Sequence, residues 1–171
     1  MFIVNFIGFN LVWFGLVYWG DTFIPIAAAF FGGHIYYAWK SGSSEIKLIF
    51  TVAAIGIVVD SILQTTGVFI FPENSYLPFW LVALWLCFAT TLSHSLKYLS
   101  KSRGLQGVVG MLFAPMSYLV GHKLNAVNFG MTVFETYALL SIIWGILMVV
   151  FFYIKTSLIK IEVDKLEVDY E

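Results

Sequence analysis

Charge is what this chain has least of. Only 11% of its 171 residues are Asp, Glu, Lys or Arg, where a soluble globular domain carries roughly a quarter. These few charges sit in short clusters between long apolar runs, so they cannot supply the polar shell of a water-soluble core. Nine basic residues against ten acidic ones leave no basic excess for nucleic acid. Cys87 is alone, within an apolar run, which excludes an intramolecular disulfide and a cysteine metal site. No phosphate loop, nucleophile elbow, H-E-x-x-H zinc helix or dinucleotide fingerprint occurs. Soluble-enzyme mechanisms of those kinds therefore have no residues to work with, and neither a cofactor nor a metal is implied. The run up to Trp19 lacks the basic stretch of a cleaved signal peptide and has no small-x-small site before Asp21, so it reads as a retained first helix.

What the chain has instead is apolar bulk: 60% hydrophobic residues, with 17 Phe, 9 Tyr and 6 Trp. Such a composition suits a surface that faces lipid, with ring-bearing residues gathered near headgroups. A helix crossing the hydrocarbon core needs about 20 mostly apolar residues. Runs of that order fall at approximately 2–20, 22–39, 47–70, 78–98, 104–121 and 131–154. The breaks are Gly20-Asp21, Lys40 to Glu45, the turn Pro72 to Ser75, the basic link Ser100 to Gly104 and the loop Gly121 to Asn125, all rich in residues that favour turns. The sequence thus predicts an all-α integral membrane protein: a single bundle of six transmembrane helices over 1–154 and a short charged cytoplasmic tail over 155–171.

Cytoplasmic loops collect Lys and Arg, which tests the number of crossings independently. Lys40, Lys47, Lys97, Lys101, Arg103, Lys155, Lys160 and Lys165 fall in the even-numbered loops and the tail, and only Lys123 falls in an odd-numbered loop. Six spans with both termini inside follow, and Trp19, Trp39, Trp80 and Tyr153 then lie near span ends as interfacial anchors. The tail, which alternates apolar and charged residues, reads as a helix extension, a surface segment or a docking peptide.

Asp60 is the most informative residue, because it falls near the middle of the third span, where an ionised carboxylate costs about 2.5–3.5 kcal/mol even on the mildest insertion scale. Ala53, Gly56, Gln64 and Gly67 share one helical stripe with it. Small residues let a neighbouring helix approach closely. The fifth span, with Gly107, Gly110, Ala114, Ser117, Tyr118 and Gly121 on one face, is the expected neighbour. The orientation then puts Asp60, Gln64, Tyr118, His122 and Glu135 around an outward-facing ligand pocket. The bland alternative is that Asp60 and Gln64 only bond neighbouring helices and that Glu135 reaches the interface.

His34 and His94 lie toward the cytoplasmic ends of the second and fourth spans and can approach each other. They are candidates for a proton relay, or else histidines bonded to nearby hydroxyls. Asn5 and Asn10, and the small-x-x-x-small pairs Ala28–Gly32 and Ala29–Gly33, read as packing features. Pro115 removes a backbone donor from the fifth span and predicts a kink, a common border of cavities.

Several blocks together resemble a bacterial inner-membrane family catalogued as a domain of unknown function: Asn5 followed by Trp13, Val59-Asp-Ser-Ile-Leu63 with Gly67, Pro78-Phe-Trp80 with Leu84-Trp-Leu-Cys-Phe88, and Ala114-Pro-Met-Ser-Tyr118 with Gly121. The likeness covers most of the chain up to about residue 150. It implies a multi-pass inner-membrane location. Members lie beside genes for cyclopropane-type fatty-acyl modification in some proteobacteria, so it also implies a role near membrane lipids. Three functions compete. The first is binding or transport of a small hydrophobic or amphipathic molecule. The second is an accessory role in which the tail or the small-residue helix faces dock a membrane protein partner. A lipid-modifying enzyme, with His94 or the pair Asp60 and Glu135 as acid and base, ranks last.

Overall fold

The computed structural model describes residues 2–41, 43–71 and 76–168. Six helices succeed one another: α1 (Phe2–Trp19), α2 (Ile24–Ser41), α3 (Ser43–Thr65), α4 (Phe79–Thr91), α5 (Arg103–Lys123) and α6 (Val133–Val168). A 3₁₀ turn, Gly20–Phe23, joins α1 to α2, and another, Lys97–Lys101, leads into α5. Two short strands, β1 (Phe69–Ile70) and β2 (Asn128–Phe129), pair antiparallel with Phe69 opposite Phe129 and Ile70 opposite Asn128. The fold is all-α, and among the described residues four helical stretches are long and apolar enough to cross a membrane: Phe2–Lys40, Ser44–Thr65, Arg103–Lys123 and Val133–Ile161. Large apolar side chains cover its outside, Phe113 at 66% and Ile146 at 61% exposure among them, a surface suited to lipid rather than water.

Length and hydropathy thus give four candidate spans where six were expected. The first stretch holds both α1 and α2, which fold back on each other at Gly20. There the backbone is left-handed (φ 58°), the conformation with which glycine ends helices. The fourth expected span shrinks to the 13 residues of α4. Thr90 and Thr91 turn their hydroxyls back onto the carbonyls of Cys87 and Phe88, and the chain then turns and passes into the 3₁₀ segment. The third was expected to reach residue 70, but α3 stops at Thr65. Gly67 (φ 77°) donates to the carbonyl of Gln64 and Val68 to that of Leu63, the paired bonds of a left-handed helix cap. Asn125 (φ 60°) and Ala126 repeat this cap at the end of α5, bonding His122 and Gly121. The two caps launch β1 and β2, so the strand pair ties the ends of α3 and α5 together. The expected turn from Pro72 to Ser75 lies outside the described residues, as do Gly42 and residues 169–171. Helix α6 continues through Val168, which makes the backbone of 155–168 an extension of the last helix.

Hydrogen bonds between helix ends fix the direction of each element. At one end Asp21 Oδ1 accepts from the Trp80 backbone N–H (2.9 Å), beside the strand pair. At the other, Asn5 Nδ2 donates to His34 Nε2 (2.9 Å) and to Thr90 Oγ1 (3.0 Å), and Lys155 Nζ donates to the Leu92 carbonyl (2.7 Å). Successive helices therefore alternate in direction, with odd-numbered connections at the first end and even-numbered ones at the second.

The partner expected for each small-residue stripe is corrected. Helix α5 runs along α6, not α3, because Gly110 lies against the Trp144 carbonyl and Met148, and Gly145 against Met111. The stripe of α3 faces α4, where Gly56 makes room for the Trp85 ring. Helix α5 runs unbroken through Pro115 as one element. A methyl group on Gly110 would meet backbone, which cannot swing aside. Gly110→Ala is expected to cost about 1–3 kcal/mol of stability in detergent unfolding. Gly32→Ala, with open space around it, should be neutral or gain up to about 1 kcal/mol. Equal effects of the two would contradict this packing.

Candidate functional site

Asp60 sits on α3 with 1% exposure, and an acid so enclosed needs donors. Trp85 on α4 supplies its indole N–H to Oδ2 at 2.7 Å, and the Tyr118 hydroxyl on α5 reaches both carboxylate oxygens at 2.9 Å. Ring packing holds the donors in place. Trp85 stacks on Trp144 of α6 at 5.1 Å and 5°, and Tyr118 stacks on Phe69 of β1 at 5.0 Å. One carboxylate thus joins α3, α4 and α5.

Beside this node lies a cavity of about 470 Å³, within the ~300–1,000 Å³ range of small-molecule sites. Leu81, Leu84, Trp85 and Phe88 of α4 form its floor. Phe9, Trp13 and Val17 of α1 make one wall, and Val109, Phe113, Ala114 and Tyr118 of α5 make the other. It exists because α1 and α5 do not pack along each other. They are bridged by one hydrogen bond, from Trp13 Nε1 to Ser117 Oγ at 2.8 Å, and Val17 approaches Gly121. Asp60 does not line the cavity, but both of its donors do.

The remaining candidates of the expected pocket stand apart. His122 stacks on Phe129 at 4.4 Å, and its Nδ1 lies 3.0 Å from the Val127 carbonyl. Glu135 is exposed and caps α6. Its carboxylate accepts from the Thr132 N–H (3.0 Å) and hydroxyl (2.7 Å), while its own N–H reaches Thr132 Oγ1 (3.3 Å), a reciprocal capping box. Gln64 is half-buried, one turn beyond Asp60. Neither His122, Glu135 nor Gln64 lines the cavity.

A second polar centre occupies the opposite end of the bundle. The rings of His34 and His94 are edge-to-face at 5.4 Å. Besides the bonds of Asn5 to His34 and Thr90, Asn5 Oδ1 accepts from the Ser95 N–H at 3.3 Å. His94 Nε2 lies 2.9 Å from Glu45 Oε1 without hydrogen-bond alignment. Among the described residues no group of three or more His, Cys, Asp and Glu is placed to hold a metal ion. Sequence reasoning missed Trp85, Glu45 and Lys155. The first hid among many aromatics, and the last counted as tail although α6 carries it inward, where it meets Leu92 and the Ser100 hydroxyl (3.3 Å).

The chain matches, over residues 2–150, the family described as "Protein of unknown function (DUF2878)", and it belongs to that family. No curated protein and no solved structure matches it.

The node carries a direct prediction. Asp60→Leu orphans two buried donors at about 1–3 kcal/mol each, so unfolding in detergent should register a loss of about 2–6 kcal/mol. Asp60→Asn, which retains an acceptor, should lose less than half of that. A neutral Asp60→Leu would contradict the assigned bonds.

Proposed function

We propose that this family member crosses the bacterial inner membrane six times, with both termini in the cytoplasm, and that the cleft between α1, α4 and α5 binds a hydrophobic or amphipathic molecule drawn from the bilayer. The alternating helix directions support six crossings. Although α4 is short, Trp80 at its start is bonded to the first connection and Thr90 near its end to the start of α1. It therefore travels from one end of the bundle to the other. The basic residues support the orientation, since Lys40, Lys97, Lys101 and Arg103 belong to connections at one end and Lys123 to the other.

The observation that carries the binding reading is the open space of about 470 Å³ between two helices that a hydrophobic bundle would otherwise press together. Its walls are mainly apolar, with Tyr118, Trp85, Ser117 and Asn10 as scattered polar groups, the usual make-up of a site for an apolar ligand. Transport of the molecule is the extension of this reading. A second reading, docking of a membrane protein partner, draws on α2, where Gly32 and Gly33 have open space before them.

Two experiments test these statements. Cysteines replacing Lys101 and Lys123 should differ in labelling by a membrane-impermeant reagent on intact cells, with only the Lys123 position reacting. Reaction at Lys101 would overturn the orientation. Protein purified in mild detergent should carry bound lipid or take up a lipophilic fluorescent probe. Ala114→Phe, which fills the cleft, should lower occupancy about tenfold or more, equivalent to about 1.4 kcal/mol. Equal occupancy in a folded Ala114→Phe protein would overturn the cleft as the binding site.

A further inference from the structure

The cleft does not end in apolar wall. At the end where α1 turns into α2 it adjoins a second cavity of about 430 Å³, and the two share Val17, Phe71 and Trp80. The second space differs in chemistry. Asp21 lines it, together with Tyr18, Trp19, Thr22 and Asn125, and among the described residues no Lys or Arg does. The Asp21 carboxylate is held in place, because its Oδ1 accepts the Trp80 backbone N–H at 2.9 Å. Tyr18, Trp19, Phe71 and Trp80 line the same cavity, and the Tyr18 and Trp19 rings are edge-to-face at 5.0 Å. A cavity lined by a carboxylate together with tyrosine and tryptophan offers a cation both an opposite charge and aromatic side chains. An anionic headgroup would be repelled by Asp21, and Lys123, the basic residue at this end, is not among the described residues that line the cavity.

From this juxtaposition we infer that the ligand is a cationic amphiphile, an alkylammonium compound or an ammonium-headed lipid. Its charged group lies against Asp21 between Trp19, Tyr18 and Trp80, and its chain lies down the cleft toward Trp85. The inference rests on the reading of the cleft as a ligand site and specifies which end of the ligand points to the odd-numbered connections. The Gly20 turn gives the arrangement a physical basis. Its left-handed backbone brings Trp19 and Asp21 to the same cavity, so aromatic and acidic groups converge across one residue.

The test uses the full chain in detergent, with palmitylamine, cetyl alcohol and palmitic acid competing against a lipophilic fluorescent probe. The amine should bind about tenfold more tightly than the alcohol, and the acid should bind most weakly. Asp21→Asn keeps an acceptor for the Trp80 N–H. It should abolish the amine's advantage over the alcohol, and Asp21→Glu should restore part of the preference. A quaternary alkyltrimethylammonium probe that retains the advantage assigns it to charge and aromatic faces, and one that loses it assigns it to N–H donation; either supports the inference. Equal binding of amine and alcohol would overturn the inference and leave the cleft reading standing. So would an Asp21→Asn protein that binds both more weakly to the same degree, because the carboxylate would then be only a clamp on α4. If none of the three displaces the probe, both the inference and the cleft reading fall.

Discussion

A carboxylate enclosed by apolar helices has no water to turn to, and this constraint organises the bundle around Asp60. The acid tolerates its surroundings because two donors, each on a different helix, are brought to it. Those donors are large rings and need space. Gly56, one turn before Asp60, provides it for Trp85, and Phe69, delivered by the strand pair beyond α3, provides a stacking face for Tyr118. Helix α5 is thus held from two sides, by Tyr118 reaching inward and by the glycine contact with α6. Neither draws it onto α1. The cleft is the space that remains when α5 is fixed elsewhere and α1 is fixed to α2 and α4.

The two ends of the bundle are tied by different chemistry, which gives the cleft a polarity. Where α1 meets α2, an acid, aromatic residues and the left-handed turns at Gly20 and Asn125 line the opening. At the opposite end the ties are amides, hydroxyls, paired imidazoles and the inward-turned Lys155, whose ammonium takes up the carbonyl that α4 releases where it stops. Between them the walls are mainly apolar. A molecule with one charged end and one hydrocarbon chain matches that gradient better than a uniformly apolar one does.

Much of this was readable from the residues, for reasons that differ by element. The helices follow from apolar run length, and the reversal at Gly20-Asp21 follows from turn chemistry in a span too long to cross once. The meeting of Asp60 with Tyr118 was accessible because a lone acid in an apolar run demands a donor. The neighbours of each small-residue stripe were not. Gly56 and Gly110 announce close approach, but nothing local says whether a tryptophan ring or another backbone fills the notch. The end of α3 was overestimated because Val68, Phe69 and Ile70 are as apolar as a span requires, whereas Gly67 decides the geometry. Glu135 looked like part of a pocket by depth alone; the Thr132-x-x-Glu135 spacing was the signal for a cap instead. Lys155 was hidden by its place beyond the last apolar run, since a long side chain can turn back toward polar partners.

The most direct test is a side-chain-resolution density map of the protein in a lipid nanodisc prepared from its host membrane. The expected map has Tyr118 and Trp85 on the Asp60 carboxylate, α1 and α5 apart, and elongated density between them that ends beside Asp21. A map in which α1 lies flat against α5, or in which Tyr118 turns away from Asp60 into the lipid, would contradict this arrangement.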